Sequence, residues 1–378
     1  MDFDLSPEQR MLQESVSRFV QDAYDFETRT KVIAADAGSD DKLWQQFARL
    51  GWLAVPFAED LGGIGGSAVD LMVIMEEFGK GLVAEPYVVN TLLFGGLLGQ
   101  SQNHSIFSSL IERIIAGELQ GAFAFLERQS RFELFDVTTR AEKDDNRFIL
   151  NGEKTLVMNG AAAEQIIVLA RTGGKQCHEL GTTLFVVDAN AEGIEKTGVR
   201  LMDGQKVANI QFNNVVVSAQ SIVGAVDHAA PLVREVVARA SLALCAEAVG
   251  IMEKLYTTTV EYTKVRKQFG VAIGSFQTLQ HRMADMFIEY EQAKSLLYRT
   301  VCSIDEQADD IEKNILALKV MVGRAGKLIG GDAIQLHGGM GLTDELDVGH
   351  YVKRLMMINT MFGDADYSQK KFAQIMAA

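Results

Sequence analysis

The chain contains 378 residues, of which 48% are hydrophobic, 23% are charged and only 4 are proline. This composition is that of an ordered globular protein with about two or three domains, and it excludes a largely disordered chain. The formal net charge of −14 argues against a general role in nucleic-acid binding, because phosphate binding requires a basic surface.

Neither the cysteines nor the histidines show the spacing of a disulfide framework or a metal site. Cys177, Cys245 and Cys302 lie far apart, and no two histidines are spaced as His-x-x-x-His. The stretch MDFDLSPEQR at the start lacks the apolar segment of a secretory signal, and no apolar run reaches the length of a membrane span. We therefore predict a cytoplasmic protein without a metal or a membrane span.

Residues 1–118 show helical signals. Ser6-Pro7 is an N-cap followed by proline at the first helical position. Apolar residues then recur with helical periodicity over 12–20, 41–53 and 69–78. The stretch PFAEDLGGIGG at 56–66 is interpreted as a turn between helices, because a dinucleotide-binding fingerprint requires a preceding strand.

Residues 119–224 change to short apolar runs bounded by turn residues, as in QIIVLA and TTLFVV. Asn151-Gly152 predicts a hairpin turn, and Asn213-Asn214 predicts a second break. Helical signals return over residues 225–378, with long runs at 231–268 and 277–304. The predicted fold is therefore α+β but mostly α: an N-terminal helical domain, a central β-barrel domain and a C-terminal bundle of long helices.

Two stretches of the C-terminal part have alternative interpretations. QLHGGMG at 335–341 ends a helical run with three glycines, which suits either a helix C-cap or a loop that exposes backbone amides to a ligand. In RKQFGVAIGSFQ at 266–277, the two cations suit a helix C-terminus, which is the simpler reading of these residues alone. The aromatic and amide residues around them could instead hold a planar, phosphorylated ligand.

Together these stretches resemble the signature of the acyl-CoA dehydrogenase family. PFAEDLGGIGG and RFILNGEKTLVMNG at 147–160 are similar to two further motifs of the family, in the same order. The stretches FGDAD, CAEAVG and ERQSR resemble the small-subunit type of pimeloyl-CoA dehydrogenase. The resemblance covers the whole chain and implies the acyl-CoA dehydrogenase fold.

The resemblance implies an FAD-dependent enzyme that desaturates an acyl-CoA thioester, the chemistry of fatty acid β-oxidation. It implies a homo- or heterotetramer, with an electron-transfer flavoprotein as the electron acceptor. It also implies cofactor-binding residues, some of which reach the FAD of a neighbouring subunit: Arg266, Gln268, Phe269, Gln277, Gln335, His337, Gly338 and Gly339.

Three departures from the family pattern concern the chemistry. The usual catalytic glutamate position is Phe362, and the position used by isovaleryl-type enzymes is Ala240, so neither carries a carboxylate. The flavin loop reads LERQSRFE at 126–133, which keeps Glu127 but loses the glycines. Leu156 replaces the tryptophan that often covers the flavin.

Glu247 is the carboxylate that draws attention, because it is the only charged residue of LALCAEAVGIM at 242–252. It lies seven residues after Ala240, nearly two turns along the same helical face. Its small and apolar neighbours on that face leave space and no internal cation, which predicts a desolvated carboxyl with a raised pKa, as a base for a weakly acidic α-proton requires. We hypothesise that Glu247 is the catalytic base; the alternative is a structural glutamate paired with an arginine such as Arg282 or Arg324.

Other acids receive structural interpretations. Glu76 and Glu77 are expected on a solvated helix face, and Asp344 to Asp347 at a helix start. Asp364 and Asp366 are expected either to contact a flavin or to cap the final helix. A different class of function also stays open, namely a catalytically silent assembly subunit that completes the flavin site of a partner dehydrogenase chain.

Overall fold

The computed structural model describes residues 4–306 and 311–377. Helices come first, eight strands of one sheet follow, and long helices complete the chain, so the predicted mostly helical α+β fold is confirmed. The N-terminal helices are α1 (Pro7–Ala23), α2 (Phe26–Ala34), α3 (Asp41–Arg49), α4 (Ala68–Gly81), α5 (Gly96–Gly99) and α6 (Ser108–Ile115), with a π-helical segment at Tyr87–Gly95.

Local sequence signals explain where these helices begin. Ser6 caps α1 as predicted: its hydroxyl accepts from Gln9 N, while the Gln9 side chain accepts from Ser6 N. Ser67 caps α4 through the same reciprocal arrangement with Asp70. The glycine-rich stretch at 56–66 contains a 3-10 turn, Glu59–Leu61, and lies between helices, as the sequence indicates.

The sheet has the order β6-β7-β3-β2-β4-β5-β8, with β1 pairing β4 in parallel. Its strands are β1 (Gly121–Ala124), β2 (Arg140–Asp144), β3 (Arg147–Met158), β4 (Gln165–Arg171), β5 (Thr182–Asp188), β6 (Ile194–Arg200), β7 (Lys206–Ser218) and β8 (Ile222–Val223). Most neighbouring pairs are antiparallel. The inward-facing residues form a contiguous apolar core that includes Phe148, Phe185 and Phe212.

The two turns predicted at Asn151-Gly152 and Asn213-Asn214 are wrong, because β3 and β7 run through these positions. Leu150 pairs with Val215 and Gly152 with Phe212, so one residue of β3 opposes two of β7 in a β-bulge. Asn214 N donates to Asn151 Oδ1 at 2.8 Å across this bulge. Asparagine and glycine adopt the left-handed backbone that a turn or a bulge requires, so composition alone did not separate the two.

The C-terminal helices are α7 (Ala230–Val265), α8 (Gln277–Asp305), α9 (Ile311–His337), α10 (Asp347–Thr360) and α11 (Ala365–Ala377). Two short strands, β9 (Lys267–Gln268) and β10 (Val271–Ala272), form a hairpin between α7 and α8. The long runs predicted at 231–268 and 277–304 therefore correspond to α7 and α8, and Asp347 begins α10. None of the helices in the described residues is long and apolar enough to cross a membrane.

Packing divides the chain into two compact units. Of the described residues, one comprises 4–30, 67–83, 241–306 and 311–377, and the other comprises 31–66 and 84–240. In the first unit, α4 packs on α1 and α8, while α9 packs on α8, α10 and α11. In the second unit, the sheet and its connecting segments form the core. The domain boundaries at 118 and 224 stay predictions.

Candidate functional site

Glu247 lies in the middle of α7 and is 3% exposed. Arg354 of α10, itself 6% exposed, donates from Nε to Glu247 Oε1 at 2.5 Å and from Nη2 to Oε2 at 2.9 Å. This parallel arrangement is the strongest geometry for a guanidinium and a carboxylate, because both oxygens accept from one planar fork. The pair therefore links α7 to α10 inside the first unit.

The expectation that Glu247 lacks an internal cation is wrong. The two arginines considered as partners are engaged elsewhere: Arg282 with Asp332 at 2.6 Å, and Arg324 with Gln369 at 2.6 Å. Arg354 is 107 residues from Glu247 in sequence, so no local sequence pattern predicts that the two residues form a pair. The role of Glu247 as the catalytic base stays a hypothesis. Arg354 already donates to both oxygens of its carboxylate and so competes with a substrate proton for them.

Phe362 lies in the turn between α10 and α11. It has a left-handed backbone, with φ of 58°, and Gly363 follows with φ of 112°. The buried Lys319 ammonium donates to the carbonyls of Ile358 at 3.0 Å and Met361 at 2.8 Å, which holds the end of α10 in place. Asp364 accepts from Tyr367 N at 2.8 Å, so it caps α11, one of the two roles expected for it.

The RKQFG stretch begins where α7 ends and forms the β9–β10 hairpin. Arg266 and Gln268 are exposed, and Phe269 is 92% exposed at a left-handed position with φ of 54°. The Phe276 ring meets the Phe269 ring edge-on, with 6.2 Å between the ring centroids. An aromatic side chain that is almost fully exposed at a hairpin tip is typical of a contact surface for another molecule.

The second glycine-rich stretch lies next to the end of α7. Tyr262, one turn before Arg266, stacks on His337 with 4.3 Å between the ring centroids. His337 ends α9 and is buried, and Gly338 continues at φ of 61°, as expected for a helix that ends in glycine. A Cβ built at Gly338 or Gly339 would meet nothing within 4 Å, so this turn presents exposed backbone.

The loop 126–133 is organised around Glu127, which is buried. Lys154 of β3, also buried, donates to Glu127 Oε1 at 2.8 Å. Thr139 N donates to Oε1 at 3.0 Å and Thr138 N to Oε2 at 2.8 Å. The Ser130 hydroxyl accepts from Glu127 N and donates to Glu127 O, so the loop closes on itself.

Charge and burial shift the pKa of both members of this pair. Burial alone would raise the pKa of Glu127, but the Lys154 ammonium and the hydrogen bonds outweigh burial and lower it to about 2. Burial lowers the pKa of Lys154 to about 8, against the attraction of Glu127. Glu127 is therefore an ionised anchor of the loop.

Leu156 occupies a second bulge between β3 and β7. Lys154 pairs with Ile210 and Val157 with Ala208, which leaves Thr155 and Leu156 opposite Asn209. Leu156 N donates to the Asn209 side chain at 3.0 Å, and Leu156 itself has φ of 50° and is 43% exposed. The bulge thus presents an apolar side chain on the surface of the second unit.

Comparison with known proteins places this architecture in a family. The N-terminal, middle and C-terminal domain models of acyl-CoA dehydrogenases match residues 6–118, 122–215 and 231–376, in chain order. The chain belongs to the acyl-CoA dehydrogenase family. It is an oxidoreductase of that family, and its fold is the acyl-CoA dehydrogenase fold.

Individual relatives are distant but cover the chain. An L-prolyl-[peptidyl-carrier protein] dehydrogenase from a Serratia species is 26% identical and covers 99% of this chain and 98% of the relative. The mitochondrial isovaleryl-CoA dehydrogenase of Pongo abelii is 26% identical over 92% of this chain and 84% of its own. A solved FAD complex of PigA superposes with a TM-score of 0.93 at 26% identity, covering 100% of this chain and 99% of the other.

FAD is the cofactor of this acyl-CoA dehydrogenase, and the exposed β9–β10 hairpin fits one part of it. A guanidinium and a side-chain amide are donors that suit a pyrophosphate. Arg266 and Gln268 supply them in the first unit, and the exposed turn at 338–339 follows His337, which stacks on Tyr262 one turn before Arg266. The individual roles of these residues, and of Phe269, Gln277, Gln335 and His337, stay predictions.

The structure also contains two features that sequence reasoning missed. Glu76 and Glu77 of α4 are 5% and 4% exposed, so the expectation of a solvated face is wrong. Their helix is covered on several sides, since α1 and α8 both pack on it. The buried Lys154 beside Glu127 was also missed, because β3 carries other polar residues and its sequence does not distinguish this lysine from an exposed one.

Proposed function

We propose that this chain desaturates an acyl-CoA thioester between its α and β carbons and passes the electrons to an electron-transfer flavoprotein. The match of all three family domains in order carries the proposal. The name of the isovaleryl-CoA relative supports the choice of a CoA thioester. We place the reaction in fatty acid β-oxidation in the cytoplasm.

The reaction removes two hydrogens from the substrate. A base takes the α-proton, and FAD, when bound, supplies the acceptor for the hydride that leaves the β-carbon. Because a thioester α-proton is weakly acidic, the base requires a free carboxylate lone pair and the thioester carbonyl requires hydrogen-bond donors. The protein must therefore hold the thioester, exclude water and provide one basic group at the α-carbon.

Glu247 is the base that the sequence proposes, and its ion pair sets the condition for that role. Both carboxylate oxygens accept from Arg354, so the carboxylate must leave at least one of these bonds before it takes a proton. Breaking a buried ion pair is costly. The ion pair thus supports the structural alternative, in which Glu247 fastens α7 to α10.

A Glu247→Gln variant separates these two roles. Glutamine keeps the size of the side chain and one hydrogen bond to Arg354 but cannot take a proton. If Glu247 is the base, the rate of flavin reduction by acyl-CoA falls by about two to four orders of magnitude while FAD content is retained. If Glu247 is structural, the variant loses stability, and the folded fraction reduces its flavin at the wild-type rate.

The second candidate is an assembly subunit that completes the flavin site of a partner dehydrogenase chain. It is favoured by one observation: Ala240 and Phe362 offer no carboxylate, and the carboxylate of Glu247 is engaged by Arg354. The exposed Arg266 and Gln268 would then serve the partner's FAD. Expression of the chain alone tests this, because an assembly subunit would be colourless and gain flavin only with its partner, whereas an autonomous enzyme would be yellow.

We also propose a tetramer, either of this chain alone or with a second dehydrogenase chain. The support is the exposed β9–β10 hairpin, whose Phe269 is 92% exposed in the single chain. Burying such a ring contributes on the order of 2 kcal/mol, which favours a contact between subunits.

A further inference from the structure

Glu76 is a buried carboxyl group in the three-helix interface of α4, α7 and α8, in the first unit. It is 5% exposed, and its Oε1 has no hydrogen-bond partner within the described part of the chain. The Tyr298 hydroxyl of α8 donates a hydrogen bond to the Glu76 carboxyl. Burying an ionised carboxylate whose oxygen has no hydrogen-bond partner costs much free energy. Burying the protonated, uncharged carboxyl costs less.

Other charged groups surround Glu76, and they already form pairs. Lys80 of α4 bonds Glu77 at 2.9 Å and lies 3.4 Å from Glu253 of α7. Tyr290 of α8 donates to Glu253 Oε2 at 3.0 Å. Lys294 of α8 lies over the Tyr290 and Tyr298 rings, 5.5 and 5.7 Å from their centroids.

The charges that act on Glu76 are those of Lys80, Lys294, Glu253 and Glu77. Two cations and two anions sum to zero, so a protonated Glu76 leaves the cluster neutral. An ionised Glu76 would leave it with one uncompensated negative charge inside the helix interface. Glu291 of α8 acts on Tyr290 and Tyr298 and lies outside this cluster of Glu76, Glu77, Lys80, Glu253 and Lys294.

The backbone of α4 touches that of α7 at Glu76, so these two helices are in direct contact there. A Cβ at Gly250 would come within 1.9 Å of the Glu76 carbonyl oxygen, and one at Gly79 within 2.0 Å of the Glu247 carbonyl oxygen. Because the carboxyl oxygen Oε1 of Glu76 is itself buried, a charge on it would be hydrated only if the packed helices separated.

We propose that Glu76 is a proton-binding site whose occupancy determines how tightly α4 packs on α7 and α8. With the proton bound, the cluster is neutral and the three helices are closed. With the proton lost, the uncompensated charge favours opening of this interface towards water. The device rests on the geometry of the first unit and does not depend on the substrate or on the base.

The expected pH range follows from the direction of the shift. Burial, the largest cause, raises the pKa of Glu76 from 4.5 to about 7, against the attraction of Lys80 and Lys294. Between these values the folded protein holds a proton that the unfolded chain has lost. Stability from the bound proton is thus fully present below pH 4.5 and is lost as pH rises to about 7.

The experiment compares the full chain as purified with Glu76→Gln, and with Glu261→Gln as a matched control at an exposed position. Glu261 pairs with Lys264 at the surface, with the two side chains 70% and 59% exposed. Urea unfolding is measured from pH 5 to pH 8, together with hydrogen exchange of α4. Relative to Glu76→Gln, the folded-to-unfolded ratio of the wild type should fall by up to about tenfold per pH unit, levelling off near pH 7.

Glu261→Gln should follow the wild type, and in both the protection of α4 amides, after correction for the intrinsic exchange rate, should fall as pH rises. Parallel pH profiles of the wild type and Glu76→Gln would overturn the proposal. If Glu76→Gln does not fold, Tyr298→Phe decides, because loss of the hydrogen bond that favours the carboxylate should move the transition to higher pH. An unchanged transition in Tyr298→Phe, with no protonated-carboxyl infrared band lost between pH 5.5 and 8, would equally overturn it.

Discussion

At the scale of single residues, the buried pair Glu127–Lys154 gives the clearest prediction about the free energy of unfolding. Lys154→Met would leave a buried carboxylate with no cation, so we expect the free energy of unfolding at neutral pH to fall by about 3–5 kcal/mol. Lys264→Met removes an exposed cation of the same type and should cost less than about 1 kcal/mol. Urea unfolding of both variants measures the difference, and equal losses would contradict the anchoring role of Glu127.

The same pair gives the Lys154 variant a distinct pH dependence. Because the pKa of Glu127 is lowered from 4.5 to about 2, its contribution to stability is present above pH 4.5 and is lost as pH falls towards 2. In Lys154→Met the charge-paired state is gone, and burial then favours the protonated carboxyl. The deficit relative to wild type should therefore shrink as the solution is acidified.

The sequence identified ionisable residues in unusual surroundings better than it identified the residues that pair with them. Glu247 stood out because it is the one charged residue of the apolar stretch 242–252, and the structure shows that it is buried. Its partner Arg354 lies on another helix, and helical periodicity contains no information about which helices meet. Glu76 was assigned to solvent because acids are mostly exposed, yet three helices enclose it.

At the scale of elements, the contact between α4 and α7 depends on glycine. Gly250→Ala would place a methyl group 1.9 Å from the Glu76 carbonyl oxygen, so the helices must separate. We expect a loss of about 3 kcal/mol or more, despite the better helix propensity of alanine.

Gly331→Ala is the matched control for this substitution. Gly331 also lies within a helix, α9, but a Cβ there meets nothing within 4 Å. We expect the free energy of unfolding to rise by about 0.5–1 kcal/mol, from helix propensity alone. A similar response of the two variants in thermal unfolding would show that the close approach of α4 and α7 is not required.

Element boundaries were predictable where a local signal specifies them. Ser6-Pro7 marks the start of α1, and the break after residue 265 separates α7 from α8. The asparagine pairs were misread, because left-handed backbone serves both a turn and a bulge. Cross-strand register decides between them, and only the pairing of β3 with β7 reveals it.

At the scale of the whole molecule, the exposed hairpin predicts the assembly. Phe269→Ser should lower the assembly state, measured by light scattering, while the unfolding transition of the dissociated chain stays close to wild type. Leu180→Ser is the control, since Leu180 is 64% exposed in a loop of the other unit. Unchanged assembly in Phe269→Ser would remove the support for hairpin contacts between subunits.

The order of the three domains, and with it the family, was predictable because several motifs spread along the chain agree. The chemistry of the site was less predictable. The family positions Ala240 and Phe362 are empty of carboxylate, and the remaining candidate is held by an arginine.

The central claim is FAD-dependent desaturation of an acyl-CoA thioester, and anaerobic mixing tests it most directly. The chain, purified with its FAD and, where needed, with its partner chain, is mixed with a series of acyl-CoA thioesters while flavin absorbance is followed. The account predicts that at least one thioester bleaches the flavin and yields an equal amount of enoyl-CoA. A flavin that stays oxidised with every thioester in the series, alone and with the partner, would contradict the account.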